Sequence, residues 1–305
     1  MIKAPRLLLA AALTLLVTAC GEDLSGPEPS DAGSRAVVVG SANFPENALL
    51  AEIYAGALRA AGVDVETNLN VGSREVLLPA IEQGEVNVLP EYTGALLEYL
   101  RKGESDATDT KSQVREIRSA LPDALTILEP SAAQDQETVT CRRPVVDEYG
   151  LRTLADLAPV SGELVLGGPP ELPGREGFGL KGLKGVYGIE FKDFRPLDVA
   201  GPLTVSALKA GKVDCANLFS TQSAISVNGF VSLADPKGLI ASQAVVPLID
   251  KQAATPATAA ALDRVSARLT TRELEQMVRQ VEIDKADAAT VAEDFLRRHG
   301  LDQSR

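Results

Sequence analysis

From residue 36 onward, short apolar runs of strand length alternate with stretches of helical period, and this alternation constrains the fold more than any other feature. AVVVGS reads as a strand. Residues 43–61 read as a helix with Leu49, Leu50, Ile53, Ala57 and Leu58 on one face and Gly62 closing it. VDVETNLNV alternates as a strand, SREVLLPAIEQG follows as a helix ended by Gly84, and EVNVLPEY is strand again. A chain that repeats strand, helix, strand packs its helices over its strands, which predicts an α/β fold with mostly parallel sheets.

The middle of the chain repeats the pattern. ETVTCRRPVV, GELVLGGPP, VDCANLFS and GFVSLAD read as strands, with helices near 153–157, 180–187 and 203–210. QAVVPLID reads as a strand that returns the chain, and helices near 256–269, 271–281 and 286–298 close it, with Thr271 and Asp287 near the N-caps. Roughly 270 residues are too many for one small core. The order fits a two-lobed molecule in which residues 136–240 are inserted between 36–135 and 241–305.

An internal echo relates the two lobes. AIEQGEVNVLPEYTG and ALKAGKVDCANLFST share Ala80/Ala207, Gly84/Gly211, Val86/Val213 and Asn87/Asp214 at identical spacing. Each then delivers an aromatic and a hydroxyl residue, Tyr92 and Thr93 against Phe219 and Ser220. A helix, a capping glycine and a strand also recur in any α/β protein, so spacing alone leaves both readings open. Ligands of open α/β sheets gather at the carboxyl ends of strands, which favours one cleft between the two strand ends.

The amino terminus predicts an export signal. Lys3 and Arg6 precede an apolar run over 7–17, which as a helix would span roughly 16 Å, too short for a hydrocarbon core of about 30 Å. A basic start, an apolar middle and small residues at the end are the parts of a secretory signal over residues 1–19, cleaved before Cys20. Residues 20–35, rich in Gly, Pro, Ser and acidic side chains, read as a disordered tether with a reach of about 21 Å.

Charge and composition narrow the function. Loss of Lys3 and Arg6 with the signal takes the formal charge from −12 to −14, and such a body repels phosphate backbones, so nucleic acid is not an expected partner. Beyond Cys20 the cysteines are Cys141 and Cys215, with no spacing for zinc. Outside the cytosol they could pair, and each also reads as an ordinary buried strand residue. The single histidine, His299, lies beside Arg297 and Arg298 at the end of the last helix, where a cation suits the helix dipole. With neither GxSxG nor GxxxxGK[ST] present, the chain is not expected to be an enzyme, and no cofactor or metal is expected.

Three stretches, VVVGSANFPENALLAEIYAGALRAAG, NVGSREVLLPAIEQGEVNVLPEYTG and VYGIEF with SALKAGKVDCANLFST, resemble the substrate-binding proteins of osmoprotectant ABC importers, the OpuAC/ProX-like binders of glycine betaine, carnitine and choline. VTACG at residues 17–21 likewise resembles a bacterial lipobox, which implies lipidation of Cys20 and anchoring on the outer face of the cell membrane. The family resemblance implies a type II periplasmic-binding-protein clamp, a monomer that closes on an osmolyte and hands it to an ABC permease with a cytoplasmic ATPase. It also implies a box of tyrosines for the quaternary ammonium, because a cation without N–H donors is drawn to ring faces. Tyr92, in PEYTG, matches one cage tyrosine, and Arg175, in LPGREG, matches the family's carboxylate-binding arginine.

Other positions depart from the pattern. The lysine of GSKNF is Ala42, the second threonine of EYTGT is Ala95, and two further tyrosines fall at Val139 and near Val205. A ligand with hydrogen-bonding groups, read by Ser41, Asn43, Tyr92, Thr93, Arg175, Ser220 and Thr221, with Phe219 beside them, is therefore a rival to a betaine. Arg74 could meet a ligand carboxylate or pair with Glu75 or Glu91, and the structural pairing is preferred. An envelope scaffold or sensor lipoprotein on the same clamp is the reading from another class.

Overall fold

The structure is a computed structural model in which residues 36–105, 107–175 and 177–303 are described. Cys20, the predicted signal and the tether lie outside the described residues. The chain first builds β1 (Val37–Ala42), α1 (Pro45–Ala60), β2 (Val65–Gly72), α2 (Arg74–Glu82), β3 (Val88–Tyr92), α3 (Thr93–Arg101), α4 (Thr110–Ala120) and β4 (Leu125–Ile127). It then crosses to β5 (Glu137–Cys141), α5 (Arg143–Tyr149), α6 (Leu154–Leu157), β6 (Val165–Gly168), α7 (Leu180–Gly182), β7 (Asp193–Pro196), α8 (Pro202–Lys209), β8 (Cys215–Phe219), α9 (Ser223–Val227) and β9 (Val231–Ser232). It returns through β10 (Val245–Asp250) and ends with α10 (Pro256–Ser266), α11 (Thr271–Glu282) and α12 (Ala288–Arg298).

Two five-stranded sheets result, in the orders β2-β1-β3-β10-β4 and β7-β6-β8-β5-β9. In the first, β1 is parallel to β2 and β3, while β10 is antiparallel to β3 and β4. In the second, β6 is parallel to β7 and β8, and β5 is antiparallel to β8 and β9. The antiparallel member of each sheet is the strand next to a crossing between lobes. Each sheet has its own core: Leu49, Leu50, Ile53 and Leu58 of α1 pack with Phe295 of α12 in one, and Leu154, Leu157, Leu166 and Leu183 pack in the other.

The echo has a structural basis. Gly84 and Gly211 adopt φ of +75° and +68° after α2 and α8, a left-handed conformation that glycine reaches without a steric cost and that turns each chain into its strand. Val86 and Val213 are buried, and β3 and β8 hold the central position of their sheets. Tyr92 and Phe219 therefore end equivalent strands.

Two crossing segments run side by side between the sheets. Gln134 bridges Ala244; the Ser131 amide donates to Val245 O at 2.8 Å, and the Asp135 amide donates to Gln243 O at 3.1 Å.

Several local expectations are corrected. ETVTCRRPVV is a strand only to Cys141, because Pro144 in the first turn, where its missing N–H costs nothing, starts α5. Residues 180–187 form α7 followed by a wider turn over Leu183–Tyr187. Thr271, expected near the cap, is the first residue of α11; Thr270 is the cap, its hydroxyl accepting from the Glu273 amide, and Asp287 caps α12. Cys141 and Cys215 face each other across β5 and β8 and form a disulfide. Among the described residues, no helix is long and apolar enough to cross a membrane.

Candidate functional site

Phe44 is the extended residue between β1 and the proline that starts α1. That position throws its ring past the carboxyl end of the first sheet, where it stacks on Phe219 from the end of β8 at 4.8 Å and 26°. Its other neighbour is Tyr92 at the end of β3, 6.2 Å away and inclined by 29°. Asn47, on the first turn of α1, fixes this corner: its amide donates to Pro90 O at 3.0 Å and its carbonyl accepts from the Ala42 amide at 2.7 Å. The three rings, with Asn43, Pro90 and Val199, line an inner chamber of about 40 Å³. A wider chamber of about 630 Å³ adjoins it through a wall both share, made by Arg74, Ala95, Glu137, Glu171 and Arg175.

Beneath the rings lies a pair of buried carboxyls. Glu46, on α1, accepts from the Tyr92 hydroxyl at 2.8 Å and from the Thr221 hydroxyl. Asp135, on the crossing into β5, accepts from the Thr221 amide at 3.1 Å and the Ser220 hydroxyl at 3.2 Å, and stands 3.0 Å from the Thr221 hydroxyl. A threonine hydroxyl has one proton, so it cannot donate to both acids at once. Burial, and then the charge of Asp135, push the Glu46 carboxyl well above the usual carboxylate range. Asp135 lies beside that carboxyl, and its Oδ2 is a buried oxygen with no hydrogen-bond donor among the described residues.

Two arginines stand in the shared wall. Arg74 binds both oxygens of Glu91, with Nε at 3.0 Å from each and Nη2 at 2.9 Å from one. Arg175 reaches Glu137 at 2.9 Å, Glu75 at 3.4 Å and Glu171 at 3.6 Å. Burial pushes Glu137 up to about 7, with Arg175 opposing only in part. Asp135 is pushed up to about 6 by burial against the hydrogen bonds of Thr221. For Glu75, burial pushes up, but Arg175 and the Ser73 hydroxyl outweigh it and hold the carboxyl below its ordinary value.

Of the residues singled out in the sequence, Tyr92, Asn43, Arg175 and Phe219 line the inner chamber. The other four are not among its described lining residues. Ser41 is buried and accepts from the Asn70 amide at 2.8 Å. Thr93 donates to Gln113 Oε1 at 2.7 Å and accepts from the Ala244 amide at 3.2 Å. Ser220 and Thr221 act one step back, through Asp135 and Glu46. Ala42 and Ala95 do face the chamber, whereas Val139 is buried in β5 and Val205, on α8, packs against the cluster of Val213, Ala216 and Leu218. Arg74 has the preferred structural partner, Glu91, and His299 pairs with Glu273 at 2.7 Å.

Phe44, Glu46, Asp135 and Glu137 were missed. An aromatic residue directly before a helix-starting proline was the available signal for Phe44. The acids had none, because their partners are remote in sequence.

Comparison with known proteins places these features in a family. The family described as the substrate-binding domain of the ABC-type glycine betaine transport system, OpuAC, matches residues 35–298. The chain is 29% identical to the glycine betaine-binding protein YehZ of Escherichia coli over 281 residues, which covers 87% of this chain and 90% of the relative. It is 26% identical to a glycine-betaine-binding protein of Pseudomonas aeruginosa, covering 86% and 88%. Among solved structures, a glycine betaine/carnitine/choline ABC transporter protein shares the fold at a TM-score of 0.67 and 21% identity, covering 88% of this chain and all of that one. Apo YehZ superposes at a TM-score of 0.59 with 26% identity, again covering 88% and 100%.

Proposed function

The chain belongs to the OpuAC family, the substrate-binding domains of ABC-type glycine betaine transport systems, and from that premise we propose that it captures a quaternary ammonium osmolyte between its lobes and presents it to a membrane permease driven by a cytoplasmic ATPase. The observation that carries this reading is the aromatic wall: Phe44 and Tyr92 from one sheet meet Phe219 from the other. A quaternary ammonium has no N–H to donate, and each ring face attracts it by about 0.5–2 kcal/mol. Relatives named as glycine betaine and carnitine binders support the ligand class.

The geometry implies how capture works. A chamber of about 40 Å³ holds roughly three waters, and stacked rings 4.8 Å apart leave no space for a cation between them. The lobes must part, the cation takes the place of Phe219 against Phe44, and closure then wraps it from both sides. Binding favours closure because only the closed form brings both sets of rings to the cation. The lobes divide in this reading into 36–135 with 241–305, and 136–240, supported by the paired crossing segments. A lipid on Cys20 holds the monomer at the outer face of the membrane, and residues 20–35 give it reach.

Calorimetric titration with glycine betaine, choline, carnitine and proline tests the proposal. Saturable binding of at least one quaternary ammonium is expected, and Tyr92→Ala should weaken it by about 3- to 30-fold. Silence from all four up to millimolar would remove the osmolyte and leave a clamp for another polar or aromatic solute, the reading that Ala42 and Ala95 in the chamber wall favour.

A further inference from the structure

The inner chamber is lined by Glu91, Asp135, Glu137 and Glu171 against Arg74 and Arg175. Arg74 is occupied by Glu91, which it holds through both oxygens. Arg175 is divided among Glu137, Glu75 and Glu171 within 3.6 Å. A ligand carboxylate approaching that guanidinium would be its fourth, set among like charges in a site largely closed to water. Among the described residues Asp135 has no ion-pair partner; its partners are the hydroxyls and amide of Ser220 and Thr221, and it abuts Glu46.

Given that the aromatic chamber takes a quaternary ammonium, we infer that it selects ions of net positive charge, choline-like amino alcohols without a carboxylate, over zwitterionic betaines. Asp135, Glu137 and Glu171 are its specificity-determining residues, supplying the counter-charge. Arg175 binds Glu75, Glu137 and Glu171 together instead of receiving a ligand carboxylate. The hydroxyl of a choline-like ion suits the same surroundings, since a carboxylate accepts a hydrogen bond from an alcohol and repels another carboxylate.

The selection should depend on pH. Asp135 faces Glu46 on α1, and through it Tyr92 on β3. Glu137 faces Arg175 and Glu171, with Arg74 and Glu75 of α2 and Glu98 of α3 around it. Asp135 and Glu137 titrate near 6 and 7, so raising the pH from 5.5 to 8 adds negative charge to the wall and strengthens the hold on a cation. A zwitterion, with a charge of each sign, gains less.

The test is calorimetric titration of the full-length protein with choline and glycine betaine, near-isosteres that differ by a hydroxymethyl group against a carboxylate, at pH 5.5 and pH 8. At pH 8, choline is expected to bind more tightly by about tenfold or more, and the preference should shrink several-fold at pH 5.5. Asp135→Asn should lower choline affinity at pH 8 by about tenfold while sparing or improving betaine. Because Asp135 also receives bonds from Ser220 and Thr221, Glu171→Gln serves as a second variant, removing one wall charge at a partly exposed site, with the same direction expected. Betaine binding as tightly as choline at pH 8, or a choline preference that neither variant changes, would overturn the inference and leave the osmolyte-binding function standing. Failure of both ligands to bind would overturn the function and the inference together.

Discussion

Phe44 shows how much of the site rests on a single side chain. It bridges Tyr92 on its own sheet and Phe219 on the other, so its replacement removes a ring face and a contact between lobes at once. Phe44→Ala should weaken binding of a quaternary ammonium by about 3- to 30-fold, read by calorimetry. Tyr92→Phe separates ring from hydroxyl. It keeps the face that meets the cation but leaves buried Glu46 one donor short, so affinity should stay within about threefold while stability falls by about 1–2 kcal/mol in denaturant unfolding.

The buried acids also set a pH dependence of stability. Asp135 and Glu137 titrate near 6 and 7 in the folded chain, against ordinary values of 3.8 and 4.5. The native state therefore binds more protons than the unfolded state between about pH 4 and 7, and stability falls as pH rises through that window. The ligand-free protein should melt at a higher temperature at pH 5 than at pH 8. A melting temperature that climbs steadily over the same range would mean these acids are paired better than their surroundings suggest. Tyr92 and Phe219 were legible because each ends a patterned strand. Glu46 was not, and Thr221 was legible as a candidate ligand contact but not as the partner of Glu46, since a contact across 175 positions leaves no local trace.

At the scale of elements, the alternation of runs foretold the α/β class, and the echo found the two central strands, because periodicity and a capping glycine are local properties. Local signals also failed where chemistry was shared. RPVV has the β-branched content of a strand, yet Pro144 suits a first helical turn, and the chain turns into α5. Short edge strands such as β4 and β7 were not found, since three or four residues carry too little pattern. The Cys141–Cys215 bridge was left open by spacing and is explained by register, which sets the two residues directly opposite on β5 and β8. It closes a loop of 74 positions, and by restricting the unfolded chain should contribute about 2–4 kcal/mol. Denaturant unfolding with and without reductant measures this, and the Cys141→Ala, Cys215→Ala double variant should show the same deficit without responding to reductant.

Across the whole molecule, a few polar contacts join the halves around the cleft. Glu98 of α3 accepts from the amides of Gly177 and Phe178 at 3.1 Å; a side chain at Gly177 would collide with Glu98, its Cβ lying 2.4 Å from that carboxyl carbon. On the far side, Glu282 of α11 accepts from Gln222 at 3.2 Å and from the Ser223 amide at 3.1 Å. These contacts favour the closed form, and removing a carboxylate acceptor costs on the order of 1.5–3 kcal/mol per bond. Glu282→Ala should enlarge the radius of gyration of the ligand-free protein in solution scattering and weaken ligand binding, with the compact value restored at saturating ligand. An unchanged radius would mean that the rings and the remaining polar contacts, such as those of Glu98, hold the lobes without Glu282.

A crystal structure of the protein with choline tests most directly whether opposed rings grip a quaternary ammonium between the lobes. The cation nitrogen should lie within about 6 Å of the ring centroids of Phe44, Tyr92 and Phe219, with Phe219 displaced from its stack on Phe44. A nitrogen seated in the outer chamber, or anywhere the three rings do not reach, would contradict it.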